Sequence, residues 1–159
     1  MSLSFKQFIA YTKYVLKHKY YVFVYGRKID LSLWRILTHD MSKFSLKEFI
    51  PYAKTFYDEN GKNQYKETLA FNIAWLHHQK KNKHHHQYWV LQCDDGNVHA
   101  LPMPETYVKE MIADWASAGK VIAGKDNAKE WYVNNKDKMN LNIGITILIE
   151  KYLNMLKKE

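Results

Sequence analysis

The feature of this chain best suited to chemistry is a histidine followed directly by an aspartate, His39-Asp40. The pair places an imidazole nitrogen beside a carboxylate oxygen, and both are ligands for hard or borderline divalent metals. Lys43 follows Asp40 by three residues, so a continuing helix or a tight turn would return its ammonium group to the side of Asp40. The stretch predicts two metal ligands beside a cation suited to phosphate, although a His-Asp dipeptide alone has low specificity.

The distribution of the other histidines strengthens that prediction. The chain has eight histidines, and five of them lie within residues 77–86. His78 continues the apolar line of a predicted helix and should point inward, whereas His77 should lie on its rim. His84, His85 and His86 are adjacent and cannot all ligate one ion, so one or two of them should point inward.

Two further candidates lie on the apolar faces of predicted helices. His18 belongs to a stripe of aromatic and aliphatic residues, and Asp114 lies at the edge of a stripe that contains Trp115. Each has an ordinary alternative: a core histidine hydrogen-bonded to a tyrosine hydroxyl, and a solvated carboxylate. Helix bundles commonly build metal sites from facing side chains, so the two together with His39-Asp40 predict a metal centre. The nitrogen and oxygen ligands do not distinguish Mn, Fe, Co, Ni, Zn and Mg.

Composition favours one helical domain. The 159 residues are 47% hydrophobic, with only six glycines and three prolines, which is typical of long helices. One cysteine excludes an internal disulfide and suits a reducing compartment. Since we find neither a signal peptide nor a long apolar run, we expect a cytoplasmic protein with no membrane contact. The net charge of +8 favours anionic partners, although dispersed surface lysines would explain it equally well.

The elements that must position these residues follow from hydrophobic periodicity. We expect an all-α fold, a compact bundle of about six to seven helices, with a small β-hairpin near residues 88–101. The predicted helices cover residues 4–25, 31–40, 45–57, 64–81, 104–118, 126–137 and 141–156. Gly26 should end the first helix, Ser45 to Glu48 should form a capping box, and the fourth helix, apolar nearly all round, should be central.

The order of these residues carries a family resemblance. His18, His39-Asp40 with Lys43, His78, a histidine within residues 84–86 and Asp114 resemble the His…His-Asp…Asp pattern of the HD-domain metal-dependent phosphohydrolases. The chain also resembles, over about residues 10–118, the DUF5662 type of small phage and bacterial proteins. The residues that carry this resemblance are 37–45, 74–78, 82, 84–85, 88–89, 103–105 and 110–115. We therefore expect a single HD-like domain over residues 1–159, with C-terminal packing helices at 125–158.

The HD resemblance implies specific roles. One metal ion would be held by the four residues of the pattern, His18, His39, Asp40 and Asp114. A second ion would be held by His78 and His85, with His84 and His77 as second choices. Asp40 and Lys43 would be catalytic, and Lys43 with Arg35 would bind the substrate phosphate. The implied activity is hydrolysis of a nucleotide or other small phosphate ester by a metal-activated water.

Two other functions fit the same residues. The lysines, Arg27 and twelve tyrosines could serve a nucleic-acid-binding accessory protein, although the chain has no dense basic stripe. A protein-binding accessory protein could instead keep a purely structural metal site, closed by protein ligands. The sequence fixes neither the substrate nor the oligomeric state.

Overall fold

A computed structural model describes residues 2–157 and confirms the predicted fold class. The described chain is mostly helical, with seven α-helices and one antiparallel hairpin. The helices are α1 (Phe5–Lys28), α2 (Leu33–Thr38), α3 (Leu46–Phe56), α4 (Leu69–Lys81), α5 (Glu105–Ala123), α6 (Ala128–Asn135) and α7 (Ile143–Leu156). Short 3-10 helices cover Met41–Phe44, His86–Trp89 and Lys136–Lys138. Within the described residues, no helix is both long and apolar enough to cross a lipid bilayer.

The hairpin lies where the alternating residues predicted it. Strand β1 (Val90–Gln92) pairs with β2 (Val98–Ala100), with Leu91 opposite His99. Gly96 has a φ of 86°, a left-handed conformation that favours glycine at the turn between the strands.

The chain divides into two compact units, each built from separate parts of the sequence. The first unit contains the described residues up to Lys17 together with Asp40–Asn82, and the second contains His18–His39 and the described residues from Lys83 onward. The expectation of one HD-like domain stays a prediction.

Each unit has its own hydrophobic core. In the first unit, α3 packs against α4, and the core contains Tyr11, Phe49 and Tyr52. In the second unit, α5 packs against α7 and α6, around buried side chains that include Met111, Ile112 and Ile149. The buried residues of α5 include Glu110, and Asp114, one helical turn later, is of intermediate burial.

Helix α1 buries the stripe that contains His18. Tyr11, Val15, His18 and Val22 are all at most 1% exposed, because they recur at the three- and four-residue spacing of one helix face. Gly26 does not end the helix, which continues to Lys28. A Cβ at Gly26 would lie 3.2 Å from side-chain atoms of Ile36 and Leu31, so this glycine permits close packing instead.

The prediction that the fourth helix is central is wrong. Helix α4 begins at Leu69, where Thr68 caps it by accepting a hydrogen bond from the Phe71 backbone N–H. Leu69 and Ile73 are more than half exposed, and only Ala74 and His78 are buried. A helix apolar on every side need bury only one of its faces, and periodicity cannot identify that face when all faces are alike.

Candidate metal centre

The two units each bring together part of the predicted site. The first unit contains the candidates Asp40, Lys43, His77 and His78. The second contains His18, Arg35, His39, His84, His85 and Asp114.

The centre of the second-unit cluster is a triangle of three potential ligand atoms. His18 Nε2 lies 3.0 Å from Asp114 Oδ1 and 3.4 Å from His39 Nε2, and His39 Nε2 lies 3.5 Å from Asp114 Oδ1. Ligand bonds of about 2.0–2.2 Å at angles between octahedral and tetrahedral separate neighbouring donor atoms by about 3.0–3.5 Å. The three atoms therefore already have the mutual spacing that one divalent ion requires.

Asp114 is not the solvated carboxylate of the alternative interpretation. Its side chain is 14% exposed, and its partners are the imidazoles of His18, His39 and His84. Burial raises the pKa of this carboxyl group, but hydrogen bonds from His18 and His39 outweigh that effect and hold the pKa well below its usual value. Asp114 is consequently an ionised ligand candidate on the buried side of α5.

Glu110, one helical turn before Asp114, is a site residue that sequence analysis did not select. Its Oε1 lies 3.0 Å from His39 Nδ1 and 3.3 Å from His84 Nδ1. Burial raises the pKa of Glu110, but hydrogen bonds from His39 and His84 lower it to about 2. An ionised carboxylate only accepts hydrogen bonds, so His39 donates its Nδ1–H and turns Nε2 toward the triangle.

The three histidines at residues 84–86 differ in how deeply they are buried. His84 and His85 are 1% and 9% exposed, with ring centroids 4.2 Å apart, whereas His86 is of intermediate burial. His84, a second choice from the sequence, lies with His39 and Glu110 in a group whose ligand atoms are all within 4.8 Å of one another. His85 is buried beside it, and its first-choice assignment as a metal ligand stays a prediction.

Arg35 lies at the edge of the second-unit cluster. Its guanidinium group donates a hydrogen bond of 2.8 Å to the Tyr107 hydroxyl and lies 4.2 Å from the centre of that ring. The same group is 3.9 Å from Glu110 Oε2, and the side chain is 32% exposed. Arg35 is thus a fixed, partly exposed cation beside buried carboxylates.

In the first unit, a local turn pairs Asp40 with Lys43. Helix α2 ends at Thr38, and Asp40 adopts a left-handed φ of 53°, which aspartate tolerates better than most residues. The 3-10 helix that follows carries Lys43 back, so that its Nζ lies 2.6 Å from Asp40 Oδ2. The three-residue spacing predicted this proximity, and both side chains are buried.

His78 lies between two carboxylates of the first unit. Its Nε2 is 3.3 Å from Asp40 Oδ1, and its Nδ1 is 2.7 Å from Glu48 Oε2. Burial lowers the pKa of His78, but Asp40 and Glu48 together raise it above its ordinary value. Burial also raises the pKa of Glu48, but hydrogen bonds from His78, His77 and Ser42 outweigh burial, so the pKa lies below its ordinary value.

Glu48 does not serve the helix cap that its sequence pattern predicted. Ser45 is the N-cap of α3 but makes no side-chain capping hydrogen bond, so the capping-box prediction is wrong. Glu48 instead turns inward, is 0% exposed, and contacts His77 Nδ1 through Oε1 at 2.7 Å. The carboxylate of Glu48 therefore accepts hydrogen bonds from two imidazoles in the buried site and not from the backbone at the start of α3.

These clusters of buried His, Asp and Glu could hold a metal ion. The family comparison matches residues 7–155 to DUF5662, a family of unknown function. The chain belongs to this family. No curated protein and no solved structure matches the chain. Membership in DUF5662 confirms the closer of the two resemblances and assigns no activity.

Proposed function

We propose that this DUF5662 protein is a metal-dependent phosphohydrolase that acts on a nucleotide or another small phosphate ester. The observation that carries the proposal is the triangle of His18 Nε2, His39 Nε2 and Asp114 Oδ1, with edges of 3.0 to 3.5 Å. Its three members occupy three of the four ligand positions of the His…His-Asp…Asp pattern, which resembles that of the HD-domain phosphohydrolases. Nitrogen and oxygen donors of this kind suit Mn, Fe, Co, Ni, Zn or Mg.

In the second unit, His18, His39 and Asp114 would hold the ion, and Glu110 would keep His39 in the tautomer that presents Nε2. A divalent ion so held supplies Lewis-acid polarisation of a phosphoryl oxygen and activation of water for attack on phosphorus. Arg35, fixed by Tyr107, would bind phosphate oxygens because a guanidinium group matches them with two parallel N–H donors.

For the first unit we propose the roles that the resemblance implies. Asp40 and His78 would be ligands of a second ion, since their facing atoms are 3.3 Å apart. Lys43 would contribute positive charge for phosphate oxygens, with Asp40 fixing its ammonium group at 2.6 Å. The net charge of +8 would attract an anionic substrate. The single cysteine suits a cytoplasmic location for this chemistry.

A phosphatase screen of the metal-loaded protein tests the proposal. Wild-type protein, stripped by chelation and reloaded with each candidate ion, is assayed against nucleoside monophosphates, cyclic nucleotides and short oligonucleotides for release of phosphate or nucleoside. We expect turnover with at least one ion and none in Asp114→Asn. Equal phosphate release by wild type and Asp114→Asn, or no turnover with any ion by a protein that binds metal, would contradict it. In the second case a structural metal site in an accessory protein would be the better explanation.

A further inference from the structure

Glu48 is the most deeply buried acidic side chain of the first unit, at 0% exposure. A buried carboxylate is costly unless hydrogen-bond donors surround it. Here three donors do so: His78 Nδ1 at 2.7 Å, His77 Nδ1 at 2.7 Å and Ser42 Oγ at 3.0 Å. Glu48 therefore has a complete set of donors without using the helix terminus on which it lies.

The contact between Glu48 and His78 decides which ring nitrogen of His78 carries the hydrogen. The polar neighbours of Nδ1 include Glu48 Oε2 at 2.7 Å, the Asn82 side-chain amide at 3.1 Å and Ser42 Oγ at 3.3 Å. Glu48 is the closest of these and the only charged one, and its contact of 2.7 Å is shorter than the 3.3 Å between Nε2 and Asp40 Oδ1. The Nδ1–H···Oε2 hydrogen bond is therefore the stronger of the two that these carboxylates offer the ring. A neutral His78 held in this way presents the lone pair of Nε2 toward Asp40 Oδ1, 3.3 Å away.

We propose that Glu48 is the positioning residue that fixes the Nδ1–H tautomer of His78 and so presents Nε2 as a donor atom for a divalent cation. The role of Glu48 does not depend on the proposed function; only the statement that the bound cation is catalytic rests on it. Metal-ligating histidines commonly donate the other ring N–H to a carboxylate, and loss of that carboxylate typically costs about 10–100-fold in metal affinity.

His77 contributes to the same arrangement from the neighbouring position of α4. Its Nδ1–H donates to Oε1, the oxygen of Glu48 that His78 does not use. With each oxygen accepting from a different imidazole, the carboxylate cannot rotate without losing a hydrogen bond. His77 is 32% exposed and thus is a support for Glu48 more than a ligand.

The test is the nitrogen-15 spectrum of the imidazole rings, recorded on histidine-labelled wild type, Glu48→Gln and the control Glu67→Gln. Glu67 lies in the same unit, but its carboxylate is exposed and contacts Asn72. Each protein is measured metal-free at alkaline pH, where His78 is neutral, and again during titration with Zn²⁺. A His78→Gln sample identifies the His78 signals.

We expect a protonated Nδ1 and an unprotonated Nε2 for His78 in wild type and in Glu67→Gln. In Glu48→Gln we expect a mixture of tautomers and at least a tenfold higher Zn²⁺ concentration for the shift of the Nε2 signal. A proton on Nε2 in wild type would overturn the proposal, and so would a Glu48→Gln spectrum and Zn²⁺ response equal to wild type. The wild-type tautomer decides the question even if Glu48→Gln does not fold.

Together with the phosphatase screen, this experiment separates the role of Glu48 from the proposed function. An inactive wild type with His78 protonated at Nδ1 would reject the phosphohydrolase and retain the role of Glu48. An active wild type whose His78 carries its proton at Nε2 would retain the phosphohydrolase and reject the role of Glu48.

Discussion

In both units a buried glutamate accepts hydrogen bonds from two histidines. Glu110 lies behind His39 and His84 in the second unit, and Glu48 lies behind His78 and His77 in the first. In each case one of the histidines turns Nε2 toward an aspartate, at 3.5 Å for His39 and Asp114 and at 3.3 Å for His78 and Asp40. The same arrangement of Glu, His and Asp thus occurs twice in the chain.

The two clusters differ in how the aspartate charge is balanced. Asp40 has the ammonium group of Lys43 at 2.6 Å, whereas the closest ion-pair partners of Asp114 within its unit are the imidazoles of His18 and His39. Neutral imidazoles leave the charge of a buried carboxylate uncompensated, and a metal ion would compensate it. With neutral imidazoles, the second-unit cluster would gain from a metal ion the positive charge that Lys43 already gives to Asp40 in the first-unit cluster.

The largest expected effect is loss of metal from His39→Ala. This change removes a ligand atom from the triangle and one of the two imidazole donors to Glu110, so the second-unit ion should be lost entirely. Elemental analysis of the purified, reloaded protein measures it. His99→Ala, which removes an exposed histidine of the hairpin, should keep the metal content of wild type. Full metal content in His39→Ala would show that the second-unit cluster does not hold the bound metal.

Lys43→Met should separate catalysis from metal binding. The change keeps the length of the side chain and removes the charge, so turnover should fall by about 100-fold or more if the ammonium group stabilises phosphate oxygens. Metal content should remain near that of wild type, because lysine is not a ligand in either cluster. Lys47→Met, an exposed lysine nearby in sequence, serves as the control. Equal losses of metal and turnover in Lys43→Met would argue against a phosphate role.

Glu110→Gln should weaken the second-unit site without removing a triangle atom. The amide keeps the size of the side chain but no longer offers an ionised acceptor to His39, so affinity for the ion should fall by about 10–100-fold. Calorimetric titration with Zn²⁺ measures the affinity, and stoichiometry at saturation should be unchanged. An unchanged affinity would show that His39 needs no carboxylate to hold its tautomer.

The smallest expected effect is on acid stability of the metal-free protein. The pKa of Glu110 is lowered from 4.5 to about 2, so its contribution to the free energy of unfolding is fully present above pH 4.5 and is lost as the pH falls toward 2. The shift corresponds to about 3 kcal/mol. Glu110→Gln should flatten that part of the stability profile, measured by urea unfolding between pH 2 and pH 5, and a profile parallel to wild type would contradict the assignment.

Local patterns predicted the parts of the site that depend on local geometry. The apolar stripe of α1 buried His18, and the three-residue spacing brought Lys43 to Asp40. The hairpin followed from two alternating segments around a glycine turn. In each case the residues that determine the outcome are neighbours in sequence or share one helix face, so periodicity contains the information.

The two glutamates depend on partners far away in the chain, so local sequence patterns do not predict their roles. Glu110 meets His39 across 71 positions, and Glu48 meets His78 across 30. A glutamate on an amphipathic helix is typically solvated, and Glu48 also matched a capping pattern. The one available signal was the excess of histidines, since imidazoles that ligate metal need acceptors for their other N–H group.

The central claim is that the second-unit cluster is a metal site, and the most direct test is the metal content of untagged wild-type protein. The protein is stripped with a chelator, incubated separately with Mn, Fe, Co, Ni, Zn and Mg, freed of unbound ion and measured by elemental analysis. We predict at least one equivalent of one of these metals per chain. Absence of bound metal after incubation with every ion would contradict the claim and leave the buried histidines as hydrogen-bonded core residues.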